Sequence, residues 1–515
     1  MTSKFGPSIQ FSIEKKTFID QSLDFSSLKI ADSDDYFEIN QPNLFVKIKK
    51  FSYPNFFYNL TSSKLVFGYS FINQDFFQIE LTREGLKIDT PLLGQLQPFF
   101  FEGKENIYLA DSLAALLLLK NKNDQFLLDR EGILDFLNLN FDFAKRTLFR
   151  QVKKIAENTS FSFFDKQISF SMRRAVKEQL IPMTFSLIKN PIDEFDRLLS
   201  KEFQLVLDLS QKDLVASCLS GGVDSAVVSA KLQQISKVLC ESVLVSGELR
   251  NDQEQILQKM KEALSLDLMV FDSEKISLFE DFDSLLLADP YSDPYANFSV
   301  AMANGLLDQQ TDLIFTGMMA DDYYKYYDPL KNSKHENLRV NDNKQYFQDS
   351  VNQAQSNLEN DSKSVELNSL FKQGSSDSIL LYDVPWKNMG VWPVSPFLSA
   401  TLISFALVLP KEFKDQKKFL KNYLKKTFKR YFTQWDKKIT LSSVLAKNVL
   451  KQSANYSDAE INQQLKDLNI LNLAKIEILM KEISSGQNSE KNARILAFLI
   501  LKLNRFLNIA YSSVL

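Results

Sequence analysis

Short apolar and aromatic runs between polar breaks fill roughly the first 180 residues. Leu44 to Ile48, Lys64 to Phe71, Phe76 to Leu81 and Gln97 to Phe101 have the length and residue types of strands, as do Ser160 to Phe164 and Ile168 to Met172. Helical spacing predicts one helix over Asp111 to Lys120 and another over Asp129 to Asn138. The expectation is a mixed, strand-rich N-terminal domain.

From Asn190 the period changes. Ile192, Phe195, Leu198, Leu199 and Phe203 recur at the separations of one helical face, and Pro191 suits a first turn, where its missing N–H costs nothing. The boundary therefore falls between 180 and 190, giving domains at 1–185 and 190–515. The apolar run Leu214 to Leu219 then leads into Ser220-Gly221-Gly222-Val223-Asp224-Ser225 and a helix expected from Ala226 to about Ile235. Strand, glycine loop and helix in that order open a parallel α/β domain. Lys331 to Asp377 is polar throughout and reads as an insertion near the active site or a solvated helical hairpin. Leu398 to Leu515 reads as helices.

The glycine loop carries candidate chemistry. At a helix N-terminus, unpaired backbone N–H groups and the positive end of the helix dipole face an anion together. Gly221 and Gly222 let the backbone approach phosphate oxygens without a Cβ in the way. Ser220 and Ser225 add hydroxyl donors, and Asp224 is an oxygen ligand suited to the Mg²⁺ that accompanies a nucleotide. The bland alternative is a tight strand-to-helix turn capped by Ser220. The Gly-Lys-Ser/Thr ending of a Walker loop and the three-glycine spacing of a dinucleotide fold are both absent.

Composition narrows the field. In 515 residues, 44% are apolar and 24% charged, the balance of a globular protein, and the net charge of −3 supplies no field to draw nucleic acid. The lysines between Lys411 and Lys438 read as a solvated helix face. Two cysteines, Cys218 and Cys240, make no disulfide framework and fit a reducing cytoplasm. The first residues lack the pattern of a signal peptide, and no uninterrupted apolar stretch of about 18 residues suggests a membrane span. His335 is the single histidine, so a histidine-based triad or multi-histidine zinc site would have to pass through one residue of a polar loop.

The hexapeptide Ser220 to Ser225 resembles the pyrophosphate loop of N-type ATP pyrophosphatases. Among these the chain is similar to the asparagine synthetase group, which includes β-lactam synthetases and lasso-peptide cyclases. Leu313-Ile314-Phe315-Thr316-Gly317-Met318-Met319-Ala320-Asp321-Asp322 resembles the family's second motif, which places Gly317 in the nucleotide site and Asp321 as a second metal ligand, with Asp322 one register away. Pro396-Phe397-Leu398 and Lys417-Lys418-Phe419-Leu420 resemble two later segments. Trp435-Asp436-Lys437-Lys438 stands where the family carries its catalytic lysine, which makes Lys438 the candidate and Lys437 its neighbour in register. Gln97 to Phe101 and Ala110 to Leu113 resemble segments of a class II glutaminase domain. The resemblance implies an N-terminal nucleophile (Ntn)-hydrolase-like sandwich, then a parallel-sheet ATP-pyrophosphatase domain with a helical C-terminal part, using ATP and Mg²⁺.

Several positions depart from that pattern. Thr2 stands where a class II glutaminase exposes its cysteine, and the residues after it do not continue as that segment does, so no glutamine hydrolysis is expected. Met318 replaces a glutamate implicated in taking a proton from ammonia, and a thioether accepts none. Trp392, Val394 and Ser399 stand where aspartate-binding forms carry Glu, Arg and Asp. The expectation is an adenylating amide ligase with a changed substrate, a peptide or specialised metabolite, and with a precursor peptide and a protease as possible companions. The alternatives are an asparagine synthetase or amidotransferase, and a non-catalytic nucleotide-binding scaffold.

Overall fold

The computed structural model describes residues 7–19, 23–71, 75–119, 124–138, 146–173, 180–279, 286, 288–325, 375–428, 442–454, 461–487 and 490–513. Thr2, His335, Lys437, Lys438 and nearly all of the polar segment 331–377 lie outside these residues.

The N-terminal part holds two antiparallel sheets. Seven strands, in the order β11 (Val152–Lys154), β9 (Phe99–Glu102), β10 (Asn106–Ala110), β1 (Ile9–Glu14), β4 (Leu44–Lys49), β3 (Tyr36–Gln41) and β2 (Ile30–Asp32), form the first. The second runs β13 (Gln167–Met172), β12 (Thr159–Phe164), β8 (Gly85–Asp89), β7 (Phe76–Thr82), β6 (Lys64–Ser70) and β5 (Asn55–Leu60). Alternation along β1 buries Ile9, Phe11 and Ile13 against the second sheet, where Phe67, Ile79 and Ile88 fill the same core. Phe99, Phe100 and Phe101 alternate in consequence: Phe100 joins this inter-sheet core, while Phe99 and Phe101 face a second core built with the helices Leu113–Leu119, Arg130–Leu137 and Lys491–Ser513. The strand begins at Phe99 rather than Gln97 because Pro98 has no N–H for a ladder.

Five parallel strands follow, in the order β16 (Asp267–Asp272), β15 (Lys237–Leu244), β14 (Leu214–Cys218), β17 (Leu313–Phe315) and β18 (Trp392–Val394). β14 and β17 pair directly, Ala216 opposite Ile314 and Ser217 opposite Phe315. The chain leaves β14 toward β15 on one side, and β17 leads to β18 on the other. The C-terminal ends of β14 and β17 therefore flank the point where the winding reverses, which is where open α/β sheets bind ligands.

The expected helix at 191 runs Pro191–Ser210, with Pro191 in its first turn and Asn190 accepting from the Ile192 N–H. It buries Phe195, Leu198, Leu199 and Phe203 and leaves Ile192 partly covered. Sheet type changes across the expected boundary, yet the packing does not stop there. Phe51 and Tyr69 of the sandwich lie 4.9 and 6.1 Å from the Trp392 ring, and Lys49 Nζ donates to the Lys387 and Asn388 carbonyls at 3.3 and 3.1 Å. Beyond residue 398 the described elements are helical. Asn492–Ser512 is long and apolar enough to cross a membrane by composition, but more than half of it is buried inside the molecule, where Leu496, Phe498, Leu503 and Phe506 complete the second core.

Candidate nucleotide-binding site

β14 ends at Cys218 and the helix Val223–Gln233 begins inside the glycine loop, three residues before the expected Ala226. Gly222, with extended backbone, serves as the N-cap, so Asp224 and Ser225 sit in the first turn, whose N–H groups have no acceptor within the helix. Gly221 has φ +85°, a left-handed conformation that glycine adopts without strain. The two serines shape the loop from within. Ser220 Oγ lies 3.1 Å from Ser225 Oγ and accepts from the Gly222 N–H at 3.3 Å, while Ser225 Oγ donates to the Gly222 carbonyl at 3.1 Å and accepts from the Ser220 N–H at 3.2 Å.

The second motif meets this loop. A Cβ on Gly317 would lie 2.8 Å from Ser225 N and 2.9 Å from the Asp224 carbonyl carbon, so only glycine lets the loop after β17 close on the first turn. Met319, with φ 67°, then turns the chain into the short helix Ala320–Tyr324, whose first turn carries Asp321. The expected pair is thus brought together, and the group that joins them is Lys417. Its ammonium is 2.7 Å from Asp321 Oδ1 and pairs with Asp224 Oδ2 as well. Burial alone would lower the Lys417 pKa, but the two carboxylates outweigh it and hold the pKa above the ordinary lysine value. Burial raises the Asp224 pKa, with Lys417 acting against the shift. Asp224 Oδ1 is buried without a hydrogen-bond partner among the described residues.

By sequence, Lys417 is only the first residue of a segment that resembles one of the family's, and Lys438 is the candidate catalytic lysine. The available signal was a lysine leading the helix Lys418–Phe428. What it could not show is the turn before it, where Gln416 and Lys417 both take left-handed φ values of 45° and 58° and aim the ammonium back at the loop.

A cavity of about 50 Å³ lies beside the C-terminal ends of β17 and β18. Thr316, Met318, Val394 and Ser399 line it from the sheet side, and Tyr53, Leu93 and Gln95 from the sandwich. Among the described residues its lining contains no Lys, Arg or His, and its carboxyl groups are Glu202 and Asp383. Burial pushes Asp383 up to about 6, against the pull of Lys387 at 3.2 Å. Cys218 lies 3.6 Å from the Tyr382 hydroxyl, and burial pushes both Cys218 and Cys240 up to about 12, so both are thiols rather than thiolate nucleophiles.

A parallel sheet whose reversal point carries a glycine-rich strand-to-helix loop with Asp224 and a facing loop with Asp321 has the arrangement in which open α/β sheets bind ligands. Residues 207–381 match the family model of asparagine synthase, a family of ATP-dependent amide ligases. No curated protein matches the chain.

Proposed function

We propose that this chain activates a carboxylate as its acyl-adenylate, releasing pyrophosphate, and transfers the acyl group to an amine. The meeting of Asp224, Asp321 and Lys417 at the mouth of the glycine loop carries the reading. First-turn N–H groups would receive the β- and γ-phosphates, and Asp224 and Asp321 would hold Mg²⁺. The orphaned Asp224 Oδ1 fits such an ion, because an unpartnered buried polar atom costs about 1–3 kcal/mol until a partner arrives. Among the described residues no three His, Cys, Asp or Glu side chains converge, so the ion would complete its shell with phosphate oxygens and water. When bound, it neutralises charge on the phosphates as the carboxylate attacks the α-phosphorus. Lys417 would keep a positive charge beside the leaving pyrophosphate, and Lys438 is proposed for the charge on the acyl intermediate.

The described lining of the cavity carries no cation, which supports a substrate other than free aspartate, whose carboxylates call for a positive partner. The proposed substrate is a peptide or specialised metabolite, with the amine on the same molecule as in β-lactam synthetases and lasso-peptide cyclases. A precursor peptide and companion protease, a cytoplasmic setting, and an Ntn-type N-terminal domain without glutaminase activity belong to the same proposal. Carboxylate-dependent ATP–pyrophosphate exchange across a panel of peptides and amino acids tests it, with ³¹P NMR showing AMP and pyrophosphate. ADP as the nucleotide product would sink the reading. Asparagine formed from aspartate and ammonia would select the synthetase alternative, and nucleotide binding without turnover on any carboxylate the scaffold.

A further inference from the structure

Past Cys218 the chain leaves the sheet. The backbone link from β14 to β15 runs from the Leu219 N–H to the Glu241 carbonyl at 2.7 Å, and the next residue, Ser220, opens the glycine loop. There a side chain continues the bonding. Gln253, on the helix Leu249–Leu264, is 2% exposed. Its Nε2 donates to the Ser220 carbonyl at 3.3 Å and to the Val243 carbonyl at 3.0 Å, and its Oε1 accepts from the Val245 N–H at 2.7 Å. The carboxamide thus acts as a surrogate peptide group, joining the end of β15 to the entry of the loop.

We infer that Gln253 is a positioning residue for the pyrophosphate-binding loop, setting the loop's backbone donors without touching the nucleotide. The inference rests on the reading of Ser220 to Ser225 as the phosphate site. Its chemistry is narrow, because two carbonyls and one N–H need a group that both donates and accepts, and Gln is the carboxamide of this reach. An ionised glutamate would turn a second acceptor oxygen toward two carbonyls. A shift of Ser220 cannot stay local, since its hydroxyl also holds the Gly222 N–H and lies against Ser225 Oγ. Anion donors act only when they lie within a few tenths of an ångström of the ordinary hydrogen-bond distance, about 2.9 Å from the oxygen.

The experiment compares the full-length wild type with Gln253→Glu and Gln253→Leu. Titration calorimetry with magnesium pyrophosphate and, separately, with adenosine is read beside thermal melting. In both variants pyrophosphate affinity should fall about tenfold or more, while adenosine affinity stays within about twofold and the melting profile stays cooperative. Pyrophosphate affinity unchanged in both variants overturns the assignment and leaves the ligase reading intact. Parallel loss of adenosine and pyrophosphate binding with a collapsed melt overturns it in favour of a general structural role. A wild type that binds neither probe overturns the phosphate site itself, and Gln253's role with it.

Discussion

Lys417 is the residue whose removal tells most about the site. With its ammonium gone, Asp224 and Asp321 lose the one described cation that pairs with both, and Lys325, 3.9 Å from Asp321 Oδ1, remains beside Asp321 alone. Lys417→Met should cost about 1–3 kcal/mol in metal-free buffer, a range discounted because Asp321 is half-exposed. Added Mn²⁺ or Mg²⁺ should restore part of that loss, since a divalent ion can take the same position between the carboxylates. Thermal melts of the variant with and without metal check both halves. An Mn²⁺-insensitive melt would show that the two carboxylates do not form an ion site. Glu241 invites a second test. It is fully buried in β15, neither carboxyl oxygen has a hydrogen-bond partner among the described residues, and burial raises its pKa from 4.5 to about 9. The folded state therefore keeps a proton that the unfolded chain releases above pH 4.5, so stability is lost as pH rises from there toward 9. Glu241→Gln removes that slope. Urea unfolding at pH 5.5 and 8.5 should show the variant gaining on the wild type at the higher pH.

Among the elements, the contact between the two loops decides whether the site exists. Gly317 lets the turn after β17 rest on the first turn of Val223–Gln233, and a methyl group there would meet backbone rather than a movable side chain. Gly317→Ala should push the Asp321 loop away from Asp224 and weaken magnesium–ATP binding about tenfold or more, with little change in secondary structure. Calorimetric titration beside circular dichroism checks this. Wild-type affinity in the alanine variant would mean that the loops need not touch. The early start of the same helix matters equally, because a first residue at Ala226 would have left Asp224 and Ser225 in a loop, away from the dipole end that favours an anion.

Across the whole molecule, the two parts expected from the change of pattern near 185 share their interiors. Trp392 of the edge strand packs among Phe51, Tyr69 and Phe71 of the sandwich, and the C-terminal helix Lys491–Ser513 fills the core against Phe99, Phe101 and Tyr108. Burial lowers Lys49 to about 8, and its bonds to the Lys387 and Asn388 carbonyls cross the same junction. A chain starting at residue 190 should consequently expose apolar core and fail to give a cooperative thermal transition, whereas the full chain should unfold with the two parts coupled. Calorimetry of both checks this, and a stable, cooperatively melting 190–515 fragment would contradict it.

Local pattern determined much on its own. Short apolar and aromatic runs placed six of the sandwich strands, the 3.6-residue period placed Pro191–Ser210, and the loop Ser220 to Ser225 offered a candidate phosphate site through glycines, hydroxyls and a following helix. These features depend on neighbours in sequence, where backbone geometry and side-chain period act directly. The likeness of Leu313 to Asp322 to the family's second motif offered Asp321 as a partner for Asp224, and strand ends in a parallel sheet converge at one edge. What only the tertiary structure decided are contacts between residues far apart in the chain: Lys417 between the two carboxylates, Gln253 beneath Ser220, Trp392 in the sandwich core, and Tyr53, Leu93 and Gln95 as a wall of the cavity beside β18. Their types are ordinary and their spacing irregular, so no period exposes them. Close packing and the pairing of buried polar groups chose them, and those are settled only when distant segments meet.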